Sequence, residues 1–148
     1  MENPTGEVAA LVRRAGAMLS QAFADSQRYT EKERGHLLSE YDVAVNEMIT
    51  TEILRLYPND TVYSEEAVET GGRGGSRWVL DPIDGTTYFI FGEPYFSISI
   101  AKEHHGNIVE GHVYNPISNE YYYANSTSGR ALLNGNEIAV SHTKSVAD

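Results

Sequence analysis

The chain has 148 residues, a formal net charge of −10 and no cysteine. That length suits one domain burying roughly 70% of its unfolded surface, and the acidity argues against nucleic acid or an anionic membrane as partner. Disulfides, thiolate zinc sites and cysteine nucleophiles are excluded. No apolar run is long enough to span a bilayer, and Met1-Glu2-Asn3-Pro4 does not begin a signal peptide. The expectation is a soluble cytoplasmic protein, with residues 1–148 as a single domain.

Val8, Leu11, Val12, Ala15, Met18, Leu19, Ala22 and Phe23 recur at helical spacing, with Asn3 or Thr5 as cap and Pro4 tolerated in the first turn. Residues 25–36 are polar and irregular and read as a loop or weak hairpin. A second helix is expected from Ser39-Glu40-Tyr41-Asp42, with the stripe Tyr41, Val45, Met48, Ile49, Ile53, Leu56 and a stop at Pro58-Asn59-Asp60. Ser39 and Asp42 have capping-box spacing, so Asp42 reads first as a helix cap. A carboxylate in a first helical turn can also accept a proton from a nearby hydroxyl. Thr61-Val62-Tyr63-Ser64 is a short strand leading into Glu65-Glu66, and Glu69 to Ser76, with four glycines around Arg73, reads as a connector because it lacks the lysine and setting of a P-loop.

The most informative stretch is Arg77-Trp78-Val79-Leu80-Asp81-Pro82-Ile83-Asp84-Gly85-Thr86-Thr87. Trp78, Val79 and Leu80 suit a buried strand. Asp81 would sit at its end, Pro82 would stiffen the turn, and Asp84 follows three residues later. Two carboxylates so close repel, which a protein tolerates mainly when a cation lies between them. Glu65 also follows a strand, so it could meet Asp81 and Asp84 at one sheet edge.

Beyond this stretch the pattern is strands: 96–101, Ile108 to Tyr114, Glu120 to Ala124, and a hairpin of 130–133 with 137–140 across Asn134-Gly135. Short connections make the sheet mainly antiparallel, and with two amphipathic helices packed on it the fold class is α+β. His104 and His105, as strand neighbours, would point to opposite faces and read as hairpin residues rather than ligands of one ion. Tyr121, Tyr122 and Tyr123 read as sheet packing, since no basic groove accompanies them.

Oxygen-rich clusters suit magnesium, manganese or calcium. Glu65, Asp81 and Asp84, with the Ile83 carbonyl, could hold two ions about 4 Å apart that clamp the attacking and leaving oxygens of a phosphoryl transfer. Free amides at Gly85 and Thr86 would face an anion, and Thr86 could orient a water whose proton passes towards Asp42.

The Glu65-Glu66 pair, the Trp78-to-Thr87 stretch with its Asp-Pro-Ile-Asp-Gly-Thr core, the strand from Phe96 to Ala101 and Ala131-Leu132-Leu133-Asn134-Gly135 resemble the inositol monophosphatase family of magnesium-dependent, lithium-sensitive phosphatases. The resemblance implies metal ligation by Glu65, Asp81, the Ile83 carbonyl and Asp84, with two or three Mg²⁺ ions and Mn²⁺ or Ca²⁺ able to replace them. It implies phosphate contacts from Gly85 and Thr86, and catalysis by Asp42, Glu65 and Thr86 through a metal-activated water. The implied activity is hydrolysis of a small phosphate monoester, inositol-1-phosphate foremost, with histidinol phosphate, fructose bisphosphate or 3′-phosphoadenosine phosphate as alternatives. Three departures stand out: Tyr88 where the family has asparagine, Ser64 where glycine is common, and no counterpart of the second lobe whose Trp-Asp motif completes the metal site, Trp78 being the only tryptophan. A first lobe alone would expose a sheet face that seeks a partner. It would be a piece of a longer phosphatase, a short form pairing as a homodimer, or a non-catalytic metal- or phosphate-binding interaction module.

Overall fold

In the computed structural model all residues are described except 1–5, 27–28, 65–66, 73, 144 and 146–148, together with the side chains of Ser39, Ala67 and Val68. The elements are α1 (Gly6–Ser26), α2 (Glu31–Leu56), β1 (Thr61–Ser64), β2 (Ala67–Gly71), β3 (Arg77–Asp84), α3 (Thr86–Phe91), β4 (Ser97–His104), β5 (Asn107–Asn115), β6 (Glu120–Asn125), β7 (Arg130–Leu133) and β8 (Asn136–Glu137). The strands form one sheet in the order β2-β1-β3-β4-β5-β6-β7-β8. Its described pairings are antiparallel except for β1 beside β3, which run parallel. This is the expected α+β class.

One face of the sheet carries the core. Val62, Trp78, Leu80, Ile98 and Ile100 alternate with outward residues along their strands. They meet Val12, Ala15 and Leu19 of α1 and Val45, Ile49 and Ile53 of α2, all fully buried. α1 approaches closely because Gly16 has no side chain; a Cβ there would overlap the Tyr114 ring. The Asn134-Gly135 turn forms as expected, both residues taking the positive φ (49° and 85°) that a tight primed turn requires, but its second strand is Asn136–Glu137 and not 137–140. Tyr121 and Tyr123 face the helices and Tyr122 faces outwards, as sheet packing demands.

Several expectations are corrected. Most of 25–36 is helix where a loop was expected: Asp25 and Ser26 close α1, and residues 31–36 open α2. Thr30 caps α2, with Glu33 N–H donating to Thr30 Oγ1 and Thr30 N–H donating to the Glu33 carboxylate at 2.7 Å. Glu31 and Glu33 also favour the positive helix end. Ser39 and Asp42 therefore lie well inside α2, and Asp42 caps nothing. The glycine-rich connector is shorter than expected, since Ala67–Gly71 is a strand paired with β1. Finally, β3 does not end at Asp81 but continues to Asp84, and a further helix, α3, follows it.

The ring centroids of His104 and His105 lie 4.1 Å apart, so strand alternation does not separate them. His105 has left the strand for a left-handed turn with φ 50°. Among the described residues no helix is long and apolar enough to cross a membrane.

Two buried polar networks brace the sheet. Asp60 is 7% exposed and accepts from the Ser76 N–H, the Trp78 indole at 2.9 Å and the Lys102 ammonium at 3.1 Å. Burial opposes its charge, but those three donors prevail and hold the carboxyl below its ordinary pKa. Fully buried His112 lies between the Glu110 carboxylate and the Tyr121 hydroxyl, each 2.8 Å away. A carboxylate only accepts, so Nε2 donates to Glu110, and in the neutral ring Nδ1 accepts from the Tyr121 hydroxyl. Burial pushes the Tyr121 phenol far above its usual value.

Replacing Asp60 with Asn should cost about 3 kcal/mol in denaturant unfolding, because it leaves Lys102 without its buried partner, whereas Thr30→Ala should cost about 1 kcal/mol. The Asp60 contribution is complete above the unfolded carboxyl pKa and disappears as pH falls through the lower folded value. Asp60→Asn should therefore flatten the acid limb of the stability–pH curve.

Candidate active site

The C-terminal ends of parallel β1 and β3 lie at the same sheet edge, Ser64 pairing with Leu80. One residue further along β3, Asp81 pairs with Ser99 of β4, yet the next pairing is Asp84 with Ser97. Three steps on β3 thus match two on β4, a bulge that inserts one extra residue. Pro82 occupies it without losing a ladder bond, having no N–H to donate. The Asp81 carboxylate accepts from Ile83 N–H at 3.1 Å and closes the turn.

The bulge decides which way the carboxylates face. In a regular strand, residues three apart point to opposite sides. Here Pro82 and Ile83 are both buried, while Asp81 is half-buried and Asp84 exposed. The extra residue rephases the alternation, so Asp81 and Asp84 share the sheet face away from the core helices.

Gly85 follows with φ 93°, and a Cβ there would stand 2.7 Å from the Tyr95 carbonyl oxygen. Only glycine fits that turn. α3 then leads off with Thr86 and Thr87 exposed. Phe89 anchors it, fully buried with its ring centroid 5.5 Å from that of Phe23 and 5.2 Å from that of Phe96. Arg34 ties the helices together, donating to the Ser26 carbonyl at 3.1 Å and to the Ile90 carbonyl at 2.8 Å. This tie was missed from sequence, because Arg34 lay in the supposed loop. A depression of about 310 Å³ beside Asp84 and Gly85 is walled by Tyr88, Tyr95, Ser97 and Asn115.

Of the other expected residues, Asp42 is half-buried within α2, which packs on α3 and β3. One turn further on, Asn46 is 8% exposed, and its Oδ1 has no hydrogen-bond partner among the described residues. It lines a depression with Ser64 and Thr70. Glu65 lies outside the described residues, and among those described no three His, Asp or Glu side chains converge as a metal centre. Asp81, Asp84 and the Ile83 carbonyl are nevertheless an all-oxygen set on an open face, the donor chemistry that suits a hard divalent cation retaining several waters.

A sequence profile of the inositol monophosphatase family matches residues 3–148. The chain belongs to that family. It is 35% identical over 140 residues to the inositol-1-monophosphatase of Rhizobium meliloti, covering 93% of this chain and 52% of that protein. It is 34% identical over 139 residues to the Nus factor SuhB of Pseudomonas aeruginosa, covering 90% of this chain and 51% of that one. The crystal structure of the extragenic suppressor protein SuhB of Bartonella henselae superposes with a TM-score of 0.82 at 30% identity, covering 95% of this chain and 55% of that one. The chain thus spans about half the length of the relatives it matches.

Gly85→Ala should destabilise the fold by about 1–2 kcal/mol, from the unfavourable φ and the encounter with the Tyr95 carbonyl. Thermal unfolding measures it, and Gly106→Ala, also at positive φ but in open space, is the control that should cost less.

Proposed function

We propose that residues 1–148 form the first lobe of a magnesium-dependent phosphomonoesterase, with inositol-1-phosphate as the foremost substrate. The observation carrying this reading is the common face of Asp81 and Asp84 across the β3 bulge. Asp81, Asp84 and the Ile83 carbonyl are the proposed magnesium ligands within the described chain, and Glu65 completes the proposal from outside it. Bound magnesium would neutralise phosphate charge and lower the pKa of a coordinated water.

The chain's own groups have the remaining roles. The amides of Gly85 and Thr86 receive phosphate oxygens where the backbone turns from β3 into α3. The exposed Thr86 hydroxyl, at the start of α3, orients the attacking water, and the proposed proton acceptor is Asp42 of α2, which reaches the site from the α3 side rather than from the carboxylate face. Phosphate monoesters are among the slowest esters to hydrolyse unaided, so the work falls mainly on positioning and charge compensation.

A second reading is a metal- or phosphate-binding interaction module without turnover. It is favoured by the Pseudomonas relative, whose name is that of a Nus factor.

Magnesium titration by calorimetry tests the site independently of turnover. Asp81→Asn and Asp84→Asn should each weaken Mg²⁺ binding tenfold or more, about 1.4 kcal/mol. Unchanged affinity in both would falsify the ligand assignment. Phosphate release from inositol-1-phosphate, abolished by either substitution, separates the esterase from the module, which binds Mg²⁺ and releases nothing.

A further inference from the structure

The helical layer is narrower than the sheet beneath it. Eight strands about 4.8 Å apart span roughly 34 Å, whereas the two long helices α1 and α2, of about 10–12 Å diameter, cover roughly 20–24 Å, and the short α3 packs on α2. α1 packs on β4 and β5, so β6 and β7 overhang it. The overhang leaves a cavity of about 620 Å³ between the start of α1 and these strands. It is separated from β3 and its carboxylates by β4 and β5.

Tyr121, Tyr123 and Leu132 form the sheet side of this cavity, the small Ala10 keeps the helix side open, and Arg13 and Arg130 line it. Arg130 is already ion-paired with Glu137. Arg13 makes no ion pair among the described residues, although acidic side chains outnumber basic ones 21 to 11. Its guanidinium is nonetheless held in place. It lies 4.8 Å from the Tyr121 ring centroid and 5.2 Å from that of Tyr114, and Nη1 donates to Asn119 Oδ1 at 3.2 Å. A freely solvated arginine would retain its rotamer freedom; this one is oriented by two aromatic faces and an amide. One of its five N–H donors is engaged there, and the planar fork suits a carboxylate or phosphate.

We propose that this cavity binds a small anion with a flat apolar body. Its carboxylate or phosphate sits on Arg13 and its body lies against Tyr123 and Leu132. The volume falls within the usual range for small-molecule pockets, roughly 300–1,000 Å³, and an apolar floor with a few placed polar groups is their common make-up. The site is independent of the phosphatase reading.

Benzoate and phenyl phosphate are the probes, added to the 148-residue chain and followed through the arginine Nε–Hε resonances and by calorimetry. Both, or one if the site prefers its headgroup, should saturate and shift the Arg13 signal. Benzyl alcohol, without the charge, and inorganic phosphate, without the body, should bind at least tenfold more weakly. Arg13→Gln should cut probe affinity tenfold or more, and Ala10→Trp, which fills the cavity from the exposed helix side, should do the same with Arg13 intact. Asp84→Asn should leave benzoate affinity unchanged. Thermal melts of each variant establish that it is folded. Absence of saturable binding at millimolar probe, or equal affinity in Arg13→Gln, overturns the proposal.

Discussion

A single extra residue in β3 governs the molecule. Without it, Asp81 and Asp84 would point to opposite faces of the sheet, one of them into the core against α2. With it, both acidic groups leave the core side together, and Pro82 and Ile83 take the buried positions between them. Like charges on one face repel, so the kink must be held from behind. Ile83 is held by its burial at 2% exposure, and the Asp81 turn by its hydrogen bond to Ile83 N–H. The positive φ of Gly85 then lets the backbone turn away at once.

The Asp60 network supplies the stiffness upstream. Its carboxylate joins the loop after α2 to β3 through Trp78 and to β4 through Lys102. The Lys102 ammonium also lies 4.2 Å from the Tyr57 ring centroid and 4.9 Å from that of Trp78, so its charge is offset by two aromatic faces as well. Burying such a pair offers little net stability. It does join Trp78 to Lys102, its pairing partner on β4, on the regular side of the bulge.

The sheet and its core were legible because each leaves a local signature. Alternation marks Phe96 to Ala101, periodicity marks α1, and Asn134-Gly135 names its own hairpin. What escaped had a different physical origin. The first turns of α2 carry Glu31, Lys32, Glu33, Arg34, Gly35 and His36, so no apolar stripe announces them. Their capping box, Thr30 with Glu33, was the available signal. Six residues between two glycines are too few for α3 to show a period, and strand pairing across the bulge depends on β4, which local pattern cannot see. Around the proposed site, the register pairs Asp81 with Ser99 and Asp84 with Ser97, Gly85 has positive φ, and Asp42 sits mid-helix rather than at a cap. Arg13 was invisible because composition averages charge over the whole chain.

α3 is bounded at both ends by left-handed glycines, Gly85 with φ 93° and Gly92 with φ 77°. Such joints transmit little torque, so the tilt of this short cylinder is governed by its anchors rather than by the backbone on either side. The anchors are the wedge of Phe89 between Phe23 and Phe96 and the grip of Arg34 on the Ile90 carbonyl. The interior aromatic stack thus acts as a lever on the sheet edge. Trimming one of those rings would reorient the Thr86 end while every acidic group kept its place.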